Sequence, residues 1–413
     1  MQRSKSLQIS QFRHLIFLLS KTHFSSSTKT LTHVKFPPSG DDPLYADVPK
    51  PQRDKSERKP YPTPMKELIR RAKEERELRK AQPCRVLEDP PDNGLLVPEL
   101  VDVAHRVHRA RASLLSGLAR IVRVITIHRC RFCTEVHVGE SGHGIRTCTG
   151  PKSGLRAGTH VWKRGRANDV VFFPKCFHLY DRVGRPRVLH GEMFSVPRIP
   201  AVLELCIQAG VDIEKFPAKR RTKPVYSIEG RIVDFEDFDG NEEEVNPVSL
   251  ESHCDDPQET GKTENLGDDI REEEKSVKEL SIETMESWFE MVSGVKRIMK
   301  KYKVWTCGYC QEVQVGPRGH KVRKCKATKH QMRDGMHAWQ EATIDDIIGP
   351  NYVWHVPDSG RSVLDNSLKR YYGKAPAVVE LCVQGGAAVP DQYKSMMRLD
   401  VVPPGRDEVD LVA

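Results

Sequence analysis

The sequence predicts an α+β protein built from two tandem repeats. Each repeat is a helix followed by a small Cys/His-stapled unit and a closing helix, and an acidic disordered linker joins the two. Three observations predict this. The stretch "CRFCTEVHVGESGHGIRTC" at 130–148 returns as "CGYCQEVQVGPRGHKVRKC" at 307–325. An amphipathic stripe leads into each block. "PAVLELCIQAG" and "PAVVELCVQGG" close them. The offset is 177 residues from Cys130 through His178 and 176 at Glu204 and Glu380, a register that identifies an internal duplication.

The elements follow in chain order. Residues 1–40 contain no Asp or Glu, carry Arg3, Lys5, Arg13, Lys21, Lys29 and Lys35, and include the cationic, apolar "FRHLIFLL". That composition predicts an organellar transit peptide, mitochondrial with chloroplast as the alternative. Residues 41–94 read as a Pro- and charge-rich linker with a basic helix, "MKELIRRAKEERELRKAQ", that ends at Pro83. The first repeat spans 95–218. Its lead-in helix has Pro98 in the first turn and buries Leu100, Ala104, Val107, Leu114, Leu118 and Ile121 along one stripe. The second repeat spans 276–392, with the stripe Leu280, Thr284, Trp288, Met291, Val295, Ile298 and Tyr302. Gly210 and Gly386 stop the closing helices. Residues 228–275 hold 18 Asp/Glu against 4 Lys/Arg and few apolar residues, which predicts disorder. Residues 393–413 read as a tail. Small folded units separated by flexible chain are the expected picture, and no apolar run is long enough for a membrane span.

The repeated pattern is Cys-x2-Cys-x9-His-x4-Cys-x11-His-x-Trp. It comprises Cys130, Cys133, His143, Cys148, His160 and Trp162, then Cys307, Cys310, His320, Cys325, His337 and Trp339. A Cys-x2-Cys turn aims two thiolates at one centre, and zinc takes four such N/S ligands in a tetrahedron. Three cysteines per site point to two structural Zn2+ ions, one per repeat, rather than to an open catalytic position. His143 and His320 are favoured as the fourth ligands over His160 and His337. Iron–sulfur ligation is the second metal reading, with Cys206 and Cys382 completing a thiolate set. On their apolar helices these two read better as buried structural cysteines.

Net charge is +9, but the acidic stretch alone carries −14, so the rest of the chain carries +23. Residues 129–187 hold twelve Lys/Arg against four Asp/Glu, and 296–333 hold twelve against one. Positive charge of this density around the cysteines points to a nucleic-acid partner. Arg129, Arg131, Arg146, Lys163, Arg164, Arg166, Lys321, Arg323, Lys324 and Lys326 are the candidate RNA contacts. Phe132, Trp162, Phe172, Tyr309 and Trp339 are candidates for stacking unpaired bases. His178 and His355, each followed by an aspartate at Asp181 or Asp358, offer an alternative reading as nuclease groups. A structural histidine near a turn fits them better.

The duplicated CxxCxEVxVGxxGHxxxxC block, the lead-in "PPDNGLLVPELVDVAHRVHRA" and the close PAVxELCxQxG resemble the plant APO family, named for accumulation of photosystem one. The resemblance covers roughly residues 45–395. It implies an organellar, non-enzymatic protein with two zinc-finger-like repeats. Such a protein binds intron-containing RNA, works with other splicing factors and promotes group II intron splicing. The family's metal-type positions fall on the ten Cys and His residues named above. Gln314 stands where the first copy has His137. A zinc-stapled RNA-processing enzyme is the runner-up, and an assembly factor that does not bind RNA is the third reading.

Overall fold

This computed structural model describes residues 89–228, 231–234, 275–327, 330–358 and 363–405, with isolated positions at 66, 70, 73–74, 76–78, 85–86 and 407–408. The expected transit peptide at 1–40, the linker at 41–64 and residues 235–274 of the acidic segment lie outside the described residues. A short strand, β1 (Arg85–Val86), precedes the first copy. That copy runs through α1 (Pro98–Val124), β2 (Ile127–Cys130), β3 (Val136–Val138), β4 (Trp162–Arg164), α2 (Ala167–Val170), β5 (Val171–Phe172), β6 (Lys175–Phe177), β7 (Arg198–Pro200) and α3 (Ala201–Gln208). A hairpin of β8 (Tyr226–Ile228) and β9 (Arg231–Val233) follows. The second copy repeats the series as α4 (Val277–Met299), β10 (Val304–Cys307), β11 (Val313–Val315), β12 (Trp339–Glu341), α5 (Ile344–Ile347), β13 (Gly349–Pro350), β14 (Tyr352–Trp354), β15 (Lys374–Pro376) and α6 (Ala377–Gln384). The short α7 (Asp391–Lys394) comes last.

The two long helices form as their sequences dictate. Pro98 opens α1, where its missing N–H leaves nothing unpaired. Ser276 and Glu279 make a capping box on α4, with the Glu279 amide on the Ser276 hydroxyl at 3.2 Å and the Ser276 amide on the Glu279 carboxylate at 3.0 Å. Every residue of both predicted stripes is buried.

What the stripes bury against is the first surprise. α1 and α4 pack on each other rather than each on its own Cys/His unit. Ser113 meets Ser287 at 3.0 Å and Arg106 meets Glu290 at 2.9 Å, so the helices run antiparallel. A β-carbon added at Gly117 would collide with Thr284, and one added at Gly294 would collide with Val107. These four residues are two pairs at the 177-residue offset, so the contact is reciprocal, like the isologous interface of a two-fold dimer.

The exchange extends to the rest of the fold. β2 is the centre of a three-stranded sheet in the order β3-β2-β4, and β10 of its counterpart, β11-β10-β12. The first sheet docks against α6 and β14 of the second copy, and the second sheet against α3 and β6 of the first. β5 pairs directly with β13 across the copies. The Gly144 amide donates to Leu364 O and the Lys321 amide to Val188 O, both at 2.9 Å. One apolar core runs through both copies. The two repeats are therefore interlocked, not separate units on a flexible chain.

Three predicted boundaries also move. β1 pairs with β8, and the Val225 amide donates to Asn93 O at 3.0 Å, so residues 85–86 and 89–94 belong to the folded body rather than to the linker. β9 extends that sheet into 231–233, the start of the segment read as disordered. Met396 and Met397 are buried and Met396 O takes the Lys374 amide at 3.0 Å, so the tail begins later than 393.

Candidate metal centres and their basic surroundings

Each centre is built where the middle strand of a Cys/His sheet ends. The Cys130 amide donates to Glu135 O at 2.9 Å and the Cys307 amide to Glu312 O at 2.8 Å, which closes the Cys-x2-Cys turn. Inside the turn the Phe132 amide donates to Cys130 Sγ at 3.4 Å and the Tyr309 amide to Cys307 Sγ at 3.5 Å. The third cysteine is fixed from another loop, Cys148 on Gly158 O and Cys325 on Gly335 O, both at 2.9 Å.

The donor atoms of Cys130, Cys133, Cys148 and His160 lie within 4.8 Å of one another, as do those of Cys307, Cys310, Cys325 and His337. His160 Nδ1 is 3.4 Å from Cys133 Sγ, and His337 Nδ1 is 3.3 Å from Cys310 Sγ. A zinc tetrahedron with Zn–S near ~2.3 Å and Zn–N near ~2.0 Å has an S···N edge of about 3.5 Å, so the donor sets fit a metal ion of that kind. Burial, then the neighbouring His143, pulls the His160 imidazole down to about 4, leaving it in the neutral form a metal takes. His160 Nε2 lies 3.1 Å from Thr147 Oγ1, an outer partner that orients the ring. Hydrogen bonding from Cys310 draws the Cys307 thiol far below its ordinary range.

The histidines change places relative to expectation. His143 and His320 do not join the four-donor sets; His160 and His337 do. The reason is local. His143 Nδ1 accepts the Ile145 amide at 3.2 Å, and His320 Nδ1 accepts the Val322 amide at 3.0 Å. That leaves the proton on Nε2, which faces Glu135 at 3.7 Å in the first copy and Glu312 at 3.2 Å in the second. These rings stand behind the ligands, with His143 and His160 centroids 5.0 Å apart and His320 and His337 centroids 4.9 Å apart. Burial opposes ionisation of Glu312, but hydrogen bonds from His320 and Arg198 overcome it and hold the carboxyl at about 2.

Cross-copy contacts reach these histidines. Arg198 of the first copy meets Glu312 at 2.7 Å, and Lys374 of the second meets Glu135 at 3.7 Å. Phe177 lies edge-on to His320 at 5.0 Å, and Trp354 to His143 at 6.4 Å. Sequence reasoning missed Glu135, Glu312, Arg198 and Lys374, although each pair keeps the repeat register.

The tryptophans after the fourth ligand are structural. Trp162 Nε1 donates to His143 O at 3.2 Å and Trp339 Nε1 to His320 O at 3.1 Å. Gly142 and Gly319 lie directly on the indoles, where any β-carbon would clash. Phe132 and Tyr309, by contrast, are 38% and 41% exposed. Cys206 and Cys382 are buried in the core, where burial pushes both thiols up to about 12, and neither joins a donor set.

All ten candidate RNA contacts are exposed. Arg129, Lys163, Arg164 and Arg166 lie on or beside β2 and β4. Arg131 sits in the Cys-x2-Cys turn, and Arg146 precedes Cys148. Lys321, Arg323, Lys324 and Lys326 flank Cys325. His178 and His355 are buried instead. His178 Nδ1 meets Glu204 at 2.7 Å and its Nε2 meets Pro217 O at 2.8 Å, while His355 Nδ1 meets Glu380 at 2.8 Å.

Comparison with known proteins adds the following. The family model described as APO RNA-binding matches residues 32–234 and 274–404. The chain is 70% identical over its full length to the whole of "APO protein 3, mitochondrial" of Arabidopsis thaliana. It is 42% identical to "APO protein 2, chloroplastic" of the same plant, over 99% of this chain and 90% of that protein. Identity to "APO protein 1, chloroplastic" is also 42%, over 89% of this chain and 83% of that one. No solved structure matches.

Proposed function

Because the chain belongs to the APO RNA-binding family, we propose that it is a mitochondrial RNA-binding protein that promotes group II intron splicing. Its two zinc-stapled copies act as a rigid basic scaffold. The observation that carries this reading is the family match over both copies, each bearing a Cys3His donor set amid exposed Arg and Lys. Zinc supplies no chemistry beyond holding four ligands together. The chain's own residues do the binding: guanidinium and ammonium groups neutralise phosphates and the RNA supplies the reacting groups. Identity to the mitochondrial relative over the whole chain, together with the cationic, acid-free residues 1–40, supports the mitochondrion. Among the described residues no helix is long and apolar enough to cross a membrane.

The surroundings of His178 and His355 favour the non-catalytic reading over the enzymatic one. His178 and His355 are 7% and 4% exposed, and Nδ1 of each meets a glutamate of its closing helix, which supports a structural role for both. Immunoprecipitation from mitochondria, with sequencing of the bound RNA, tests the proposal. Enrichment of unspliced group II intron transcripts, and their accumulation when the protein is depleted, are the expected results. Normal splicing in depleted mitochondria, or no RNA enrichment, overturns it.

A further inference from the structure

The third residue of each Cys-x2-Cys turn, Phe132 in the first copy and Tyr309 in the second, is a large ring left partly in water. In both copies a guanidinium lies on that ring: Arg156 at 4.0 Å from the Phe132 centroid and Arg333 at 3.9 Å from the Tyr309 centroid. Each arginine is also held to the metal centre. Arg156 Nη2 donates to Cys148 Sγ and Arg333 Nη2 to Cys325 Sγ, both at 3.6 Å. Arg156 further donates to Pro151 O at 2.9 Å and Lys152 O at 3.2 Å. The ring, the guanidinium and the sulfur form one chain of contacts, present twice at the 177-residue offset.

Core packing does not account for the rings. The apolar cores beside the centres use Phe177, Val322, Ile145 and Trp354, and neither Phe132 nor Tyr309 belongs to them. The other aromatic candidates do not form a duplicated exposed pair. Trp162 and Trp339 pack on the glycine turns, and Phe172 has Gly349 as its repeat equivalent at the same offset. Basic residues adjoin each centre in the chain: Arg131 precedes Phe132, and Lys326 follows Cys325, both exposed. An aromatic face on a surface rich in exposed cations is the arrangement that stacks an unpaired base while charges take its phosphate.

We propose that Phe132 and Tyr309 are twin docking platforms for unpaired nucleobases, with Arg156 and Arg333 as their positioning residues. This rests on the reading of the chain as an RNA-binding protein. The arginine ties platform geometry to the metal centre, so a base meets a ring whose rotamer is already set. That pre-organisation lowers the ordering cost of binding.

The test uses the full-length, zinc-loaded chain and a single-stranded oligoribonucleotide carrying 2-aminopurine, with fluorescence and binding followed over a salt series. Wild type is expected to bind and change the probe's fluorescence. F132A/Y309A is expected to weaken binding by roughly 5- to 150-fold per ring lost and to abolish the fluorescence change. The slope of log affinity against log salt should stay unchanged, since no phosphate contact is removed. F132W/Y309W should restore both readouts. Should the alanine pair lose zinc, F132L/Y309L decides by the same readouts, because it keeps apolar cover over the guanidinium without a π face. Wild-type affinity and fluorescence in the ring-less, zinc-loaded variant overturn the platforms while leaving RNA binding intact. A loss that comes with a shallower salt slope also overturns them. Failure of wild type to bind RNA at all removes the proposed function itself.

Discussion

At the residue scale, the buried His178 shows how the closing helix is locked to its own copy. Burial works against its charge, but the Glu204 carboxylate at 2.7 Å and the Pro217 carbonyl outweigh this and raise the imidazole above its usual value. Glu204 also accepts the Leu179 amide at 3.0 Å and the Gln208 side chain at 2.7 Å. The folded state therefore holds the His178 proton more tightly than the unfolded chain does. Its stabilisation is complete below the unfolded imidazole pKa of about 6.5 and is withdrawn as pH rises through the raised folded value. His178→Gln should cost about 1.5–3 kcal/mol at pH near 6, the worth of a charge-assisted buried hydrogen bond. The gap between variant and wild type should narrow as pH approaches about 9. Thermal melts of both proteins across that range check it, and a pH-independent gap contradicts the account. The sequence showed this histidine repeating but not its partner, because Glu204 is 26 residues away on a helix that reads as merely apolar. The fourth metal ligand was illegible for a similar reason. The spacing favoured His143 over His160, and one backbone amide, that of Ile145, reverses the choice.

At the element scale, α1 and α4 were legible as helices and their buried stripes were legible residue by residue. Their mutual packing was not, since a stripe states which side chains leave water and is silent on what covers them. The glycines at the crossing carry that information. Gly117 faces Thr284 and Gly294 faces Val107, so the backbones approach where no β-carbon fits. In an isolated helix Gly→Ala gains about 0.8–1 kcal/mol. Here Gly117→Ala should instead destabilise by about 1–3 kcal/mol, the usual cost of overpacking a close-packed contact. Removing the obstructing hydroxyl should relieve part of this, so that Gly117→Ala costs less in a Thr284→Ala background. Urea unfolding of the four proteins in that cycle measures the coupling. Additive effects, or a stabilised G117A, would show that the helices do not approach as described.

At the scale of the whole molecule, the duplication was plain in the sequence and the exchange between its copies was not. The contacts that interlock them join residues far apart in the chain, such as Gln314 with Phe177 and Arg146 with Asn366. No local pattern announces such pairs. The consequence is that neither candidate metal centre is private to its own copy. The ring behind each ligand set, His143 or His320, rests on an aromatic and faces a glutamate that lies within ion-pair distance of a cation of the other copy. A structural zinc supplies apparent binding free energy on the order of 10–16 kcal/mol in small peptides, comparable to the whole stability of a domain. Disabling one centre should therefore loosen both halves. Cys148→Ser is expected to lose one of two bound zinc ions and to melt in a single transition at lower temperature. Amide exchange should speed up in β10–β12 as well as in β2–β4, although the altered ligand lies in the first copy only. Independent copies would behave otherwise, giving two transitions with the second sheet as protected as in wild type. Hydrogen-exchange mass spectrometry beside calorimetry separates these outcomes, and the second one would return the protein to a pair of beads on a string.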